Sequence, residues 1–124
     1  MEPIQRLYKK DKIVTRSLHI DEDLYIKLQY LCDNVFDTSI SKILNICVET
    51  LLQNKDNIKF YKKPYKIDSI YRSILFRKEF YDELIKIRDK TGISFSRLVN
   101  GSIKEFLDKY EGKYFGKGYG SLFK

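Results

Sequence analysis

A mainly α-helical domain holding one short two-stranded antiparallel β-ribbon, in the order β-α-α-linker-β-α-α, is the fold class this sequence predicts. Three observations lead there. Residues 39–45, SISKILN, return as SFSRLVN at 94–100, matching in kind at every column: Ser, apolar, Ser, basic, aliphatic, aliphatic, Asn. Residues 15–20, TRSLHI, return as YRSILF at 71–76 with the Arg-Ser pair in the same place. Self-similarity at a fixed spacing marks a repeated structural unit. Each copy contains a single strand-like segment, which is unstable alone, so the two strands are expected to pair with each other.

The first unit opens at 13–20, IVTRSLHI, where Leu18 and Ile20 alternate with Ser17 and His19 as in a half-buried strand. Asp21 follows as an expected N-cap, with Glu22 and Asp23 favourably placed in the first helical turn. Leu24, Leu28, Leu31, Cys32 and Val35 recur at helical spacing and predict a helix over about 22–34. A turn, FDTS, leads to Ser39 as the next N-cap. Ile43, Leu44, Cys47, Val48, Leu51 and Leu52 form the apolar stripe of a second helix over about 40–53.

The second unit repeats the plan. Phe80, Leu84 and Ile87 predict a helix near 78–90, stopped by Thr91-Gly92, where glycine suits a left-handed C-cap. Ser94 caps the last helix, with Leu98, Val99, Ile103, Phe106 and Leu107 as its stripe. The repeat offset slips by one residue between the strands and the second helices, so the second unit is one residue shorter around its turn. Residues 1–12 read as a basic arm, 13–53 as the first unit, 54–69 as a basic linker, 70–107 as the second unit, and 108–124 as a Gly-, Lys- and aromatic-rich tail with no stable periodicity.

Composition bounds the function. With 124 residues, 43% of them hydrophobic and 33% charged, the chain is an ordinary globular sequence with room for one compact domain or two small units sharing a core. Its apolar runs are too short to span a membrane, and the basic start, MEPIQRLYKKDK, leads into no apolar signal region; a cytoplasmic protein is expected. Cys32 and Cys47 fall on apolar helix positions and read as buried free thiols, with a disulfide as the alternative. One histidine and no Cys-x-x-Cys imply no metal and no cofactor. No nucleophile-base set, working carboxylate pair or phosphate-cradling loop points to an enzyme; Glu22-Asp23 and Asp82-Glu83 read as solvated helix surface. The net charge of +7 is concentrated in the arm, the linker and the second unit. That distribution points to a polyanionic partner, nucleic acid before anionic membrane, over the plain reading of a Lys-rich solvated surface.

Short strand, helix, Gly- or Asp-containing turn and Ser-capped helix, in that order, resembles the ribbon-helix-helix family of transcription factors. RSLHIDEDL with SISKILN and YRSILFRKEF with TGISFSRLVN carry the resemblance, which covers about 15–53 and 71–107. Two motifs in one polypeptide resembles the tandem regulators of archaeal filamentous viruses, in keeping with the Lys-, Ile- and Tyr-rich composition; for such a viral protein the compartment is the host cytoplasm.

The resemblance implies a tandem ribbon-helix-helix pseudo-dimer that inserts its ribbon into the major groove of double-stranded DNA and represses or activates transcription. Thr15, Ser17, His19, Tyr71, Ser73 and Leu75 would then face the bases. Ser39, Ile40 and Ser41, and Ser94, Phe95 and Ser96, would grip phosphates with free helix-terminal N–H groups. Arg16 and Arg72 stand where the alternation wants an apolar residue and would reach phosphate or guanine. Arg77 replaces the cap provided by Asp21 in the first unit, which should weaken that helix start by about 1 kcal/mol, and it too could touch phosphate. The second strand has fewer hydrogen-bonding groups than the first, so an imperfectly palindromic operator is expected. Arg6, Lys9, Lys10 and Lys12 form a basic arm for the DNA backbone, and Lys59, Lys62, Lys63 and Lys66 add charge from the linker. Tyr114, Phe115, Tyr119 and Phe123 of the tail suggest self-association. The alternative is an antitoxin-like or adaptor protein whose tail binds a protein partner.

Overall fold

The computed structural model describes residues 12–58, 61–62 and 67–114, with side chains as far as Lys109. Two strands, β1 (Ile13–Asp21) and β2 (Ser69–Arg77), pair antiparallel as a two-stranded sheet. The helices are α1 (Glu22–Leu31), α2 (Ile40–Gln53), α3 (Lys78–Thr91) and α4 (Phe95–Tyr114). The register centres on Ser17 opposite Ser73, with Ile13 opposite Arg77 at one end and Asp21 opposite Ser69 at the other. Beyond each end the pairing gains one more bond: the Lys78 N–H donates to the Lys12 carbonyl and the Glu22 N–H to the Asp68 carbonyl, both at 2.8 Å.

Alternation along the strands divides the ribbon into two faces. Leu18, Ile20, Ile74 and Phe76 are buried against the helices, where they join Leu24, Leu28, Leu31, Ile43, Leu44, Val48, Leu84, Leu98, Val99 and Ile103 in one core. Phe76 meets Phe95 edge to face at 5.4 Å between ring centroids, an orientation that sets a positive ring edge on a negative ring face. One core shared by both sequence units explains why neither needs a mate in a second chain to cover its apolar face. Among the described residues no helix is long and apolar enough to cross a membrane.

Three local expectations need correction. The first helix does not simply end near 34: α1 passes into a π-helical turn, Cys32–Phe36, and then into Asp37, which is left-handed at φ 50°. Gly92 holds the same left-handed place after α3, at φ 79°. A π turn takes in more residues than an α turn, so it absorbs the extra residue by which the first unit exceeds the second. The last helix does not stop at Leu107 but continues to Tyr114. Lys104 and Asp108, paired at 2.6 Å one turn apart, carry it past the end of the apolar stripe. Finally, Asp21 makes no side-chain cap bond, for a reason given below.

Gly92 has nothing within 4 Å of where a Cβ would stand, so only backbone strain opposes a side chain there. Gly92→Ala is expected to cost about 1–2 kcal/mol, read as a lower denaturant midpoint at unchanged slope. Cys32 and Cys47 are free and buried. Burial, and secondarily Asp33, pushes the Cys32 thiol up to about 11; burial raises Cys47 further. A thiol held protonated is a poor nucleophile. Iodoacetamide at neutral pH is therefore expected to label neither cysteine in native buffer and both in denaturant, as counted by mass.

Candidate nucleic-acid interface

The outer face of the ribbon carries Thr15, Ser17 and His19 from β1 and Tyr71, Ser73 and Leu75 from β2, all exposed. These are the six residues that the alternation placed outward. They are arranged as cross-strand pairs. Thr15 opposes Leu75, Ser17 opposes Ser73, and His19 opposes Tyr71. The two central hydroxyls hydrogen-bond each other at 2.7 Å. His19 and Tyr71 lie with ring centroids 4.7 Å apart. Ile13 and Ser69, not singled out by the sequence pattern, complete the outer rows, and the Ser69 hydroxyl contacts His19 Nδ1 at 3.2 Å.

The two Ser-capped helices stand at opposite ends of this face. Ser39 caps α2 by accepting from the Lys42 N–H, and Ser94 caps α4 by accepting from the Arg97 N–H, each at 3.2 Å. Ile40 and Ser41, and Phe95 and Ser96, occupy first turns, where no intrahelical acceptor exists for an N–H. The hydroxyls of Ser41 and Ser96 are turned to the ribbon instead. Ser41 Oγ accepts from the Leu75 N–H at 3.0 Å, and Ser96 Oγ donates to the His19 carbonyl at 2.8 Å. Phe95 is buried under the ribbon, so only its backbone is available to a ligand.

The repeated asparagine of SISKILN and SFSRLVN, to which the sequence pattern gave no role, proves to be a clamp. Asn100 Nδ2 donates to the His19 carbonyl at 3.0 Å, and the Asp21 N–H donates to Asn100 Oδ1 at 2.8 Å. Asn45 does the same for the other strand: its Nδ2 donates to the Leu75 carbonyl at 2.8 Å and its Oδ1 accepts from the Arg77 N–H at 3.0 Å. Each second helix thus grips the strand of the other sequence unit, satisfying backbone groups where the ladder runs out.

The ends differ in charge. Asp21 is 0% exposed, and its carboxylate accepts from both terminal nitrogens of Arg97, at 2.8 and 3.2 Å. It is therefore a buried ion-pair partner rather than a helix cap. Tyr61 of the linker stands near the same carboxylate, and the Arg97 guanidinium lies 5.5 Å from its ring. Burial, reinforced by Asp21, raises the Tyr61 phenol above the ordinary tyrosine value. At the repeat-equivalent places stand Arg77 and Lys42, which cannot pair. Arg77 turns instead to Glu79 at 2.8 Å and over the Phe80 ring at 4.8 Å, leaving Lys42 exposed. Neither Asp21 nor Arg77 caps by its side chain, so the expected difference of about 1 kcal/mol between the two helix starts has no basis.

Arg16 and Arg72 lie at helix-facing positions of the ribbon, Arg16 half-buried and Arg72 exposed. Arg16 donates to the Tyr81 hydroxyl at 2.9 Å and stacks 4.1 Å from the Phe95 ring centroid. Arg72 lies 5.4 Å from Tyr25, the repeat equivalent of Tyr81, and donates to the Tyr71 carbonyl at 3.0 Å. An arginine can lay its stem on apolar surface and its planar head on a ring, so the inner face tolerates it beside the central pair. Lys12 and Lys62 are exposed. Arg6, Lys9, Lys10, Lys59, Lys63, Lys66, Phe115, Tyr119 and Phe123 lie outside the described residues, and Tyr114 is the last residue of α4. Among the described residues no group of His, Cys, Asp and Glu is placed to hold a metal ion. No known protein family, curated protein or solved structure matches the chain.

Proposed function

We propose that this chain is a sequence-specific double-stranded DNA-binding protein of ribbon-helix-helix type, a transcription regulator whose two units act as a pseudo-dimer within one polypeptide. One observation carries this reading: a two-stranded ribbon exposes a row of base-compatible side chains on one face while its other face is sealed by helices. A major groove about 12 Å wide admits such a ribbon. Hydroxyls and an imidazole on the outer face suit base edges, and Leu75 and Ile13 suit thymine methyls. The first turns of α2 and α4, flanking the ribbon, offer N–H groups and the positive helix end to phosphates. The +7 charge of the chain supplies the long-range attraction.

The test is a gel-shift series on the DNA upstream of the protein's own coding sequence and on a random duplex, repeated over salt. Each phosphate contact steepens the fall of log affinity with log salt by about 0.9. The upstream DNA should stay preferred at raised salt, and Lys42→Gln should flatten the slope by about one contact on both duplexes. Equal affinity for the two duplexes at every salt concentration would refute base reading.

A further inference from the structure

The proposed DNA reading leaves open how the two half-sites differ; resting on that reading, we propose that the ribbon is directional, with His19 reading a guanine at one end and Leu75 with Ile13 reading thymine methyls at the other. The repeat spacing equates His19 with Leu75, Tyr71 with Thr15 and Ser69 with Ile13, so the same three outer positions exist at both ends of the ribbon. Their chemistry is opposite.

At the first end Ser69 engages His19 Nδ1 at 3.2 Å, and the Tyr71 ring lies tilted by 49° against the imidazole. With Nδ1 occupied, Nε2 is the nitrogen left for a base. It is a donor when the Ser69 hydroxyl donates to Nδ1. A donor at this place suits the N7 and O6 acceptors that guanine shows in the major groove. Tyr71 limits the ring's freedom, so less entropy is lost when the contact forms.

At the second end Leu75 is 50% exposed and Ile13 54%, with Thr15 between them in the outer rows. Neither aliphatic chain can hydrogen-bond a base. Their burial is gained against an apolar group, and the C5-methyl of thymine is the apolar group the major groove offers. On the outer face the Ser17–Ser73 pair at the centre is the one place where both strands present the same side chain. The site that fits is therefore two unlike half-sites around a shared centre, with a fixed orientation.

The experiment selects duplexes from a random pool with the full chain, then changes single atoms in the winner. Replacing guanine by 7-deazaguanine removes N7 alone; replacing thymine by uracil removes the methyl alone. The first change should weaken binding about tenfold in one half only, and the second about fourfold per contacted methyl in the other half only. The exchange variant His19→Leu with Leu75→His should select a site in which the two half-site preferences trade places. Its melting midpoint should stay near that of the parent, because both residues are exposed. A palindromic winner, or both atomic changes acting in the same half, would overturn the directional assignment and leave DNA reading standing. Selection yielding no preference over random DNA would overturn DNA reading itself.

Discussion

Asp21→Asn is expected to be the most destabilising single change in the molecule outside the apolar core, at about 3–5 kcal/mol. The substitution keeps size and shape but leaves the Arg97 guanidinium, largely enclosed, without its counter-charge. The two bonds of 2.8 and 3.2 Å between them are lost or weakened together. Breaking a buried pair by one partner costs far more than deleting both, because the remaining charge is desolvated and unanswered. The double variant Asp21→Asn with Arg97→Met should therefore recover a large part of the loss. Urea unfolding followed by circular dichroism measures both, with the midpoint shifting at constant slope. Arg77→Ala, at the repeat-equivalent position, provides the contrast. Its pair with Glu79 is solvent-exposed and worth at most about 1 kcal/mol. If the single Asp21 variant fell within about 0.5 kcal/mol of the parent, as a surface change would, the ion pair would not organise this end of the ribbon.

Asn100→Leu comes next, at about 2–4 kcal/mol. Asn100 is 0% exposed, and its amide satisfies the His19 carbonyl and the Asp21 N–H at once. Leucine fills the space but offers neither partner, so the buried Asp21 N–H is left unanswered and the His19 carbonyl keeps only the Ser96 hydroxyl. The end of the ribbon should loosen, and amide exchange at Asp21 should accelerate by more than the global loss explains. Asn45→Leu should follow the same pattern at the Leu75–Arg77 end with a smaller cost, because Asn45 is half-buried and water can reach part of what it leaves. Equal exchange rates along β1 in parent and variant would contradict the clamp.

Both residues show where the sequence was legible and where it was not. The asparagine was visible as the seventh column of a repeated motif, but nothing local says what it bonds; its acceptors and donors lie in the other unit, at separations of 79 and 81 for Asn100. Asp21 was misread for a physical reason. Local rules rank aspartate among the best N-caps, and its place before Glu22 fits them. Long-range register overrode that preference by setting its carboxylate against Arg97. A signal was present: across the repeat, position 21 is acidic where 77 is basic, while 42 and 97 are both basic. Crossing those columns permits one ion pair and forbids the other. Arg16 fared similarly, since alternation put it on the inner face correctly, while the Phe95 and Tyr81 rings that make that place tenable came from distant segments.

By itself the sequence determined what depends on neighbours along the chain: strand alternation, the helical stripes, the Ser39 and Ser94 caps, the left-handed glycine after α3, and six of the eight side chains on the outer face. Those follow from periodicity and backbone preference, which act over a few residues. Only the tertiary structure decided that the helices clamp crosswise, that one end is locked by a buried ion pair while the other leaves Lys42 exposed, and that a π turn absorbs the odd residue. Such choices depend on which distant groups become neighbours once water is excluded, and burial makes an unmatched polar group there too costly to leave to local preference.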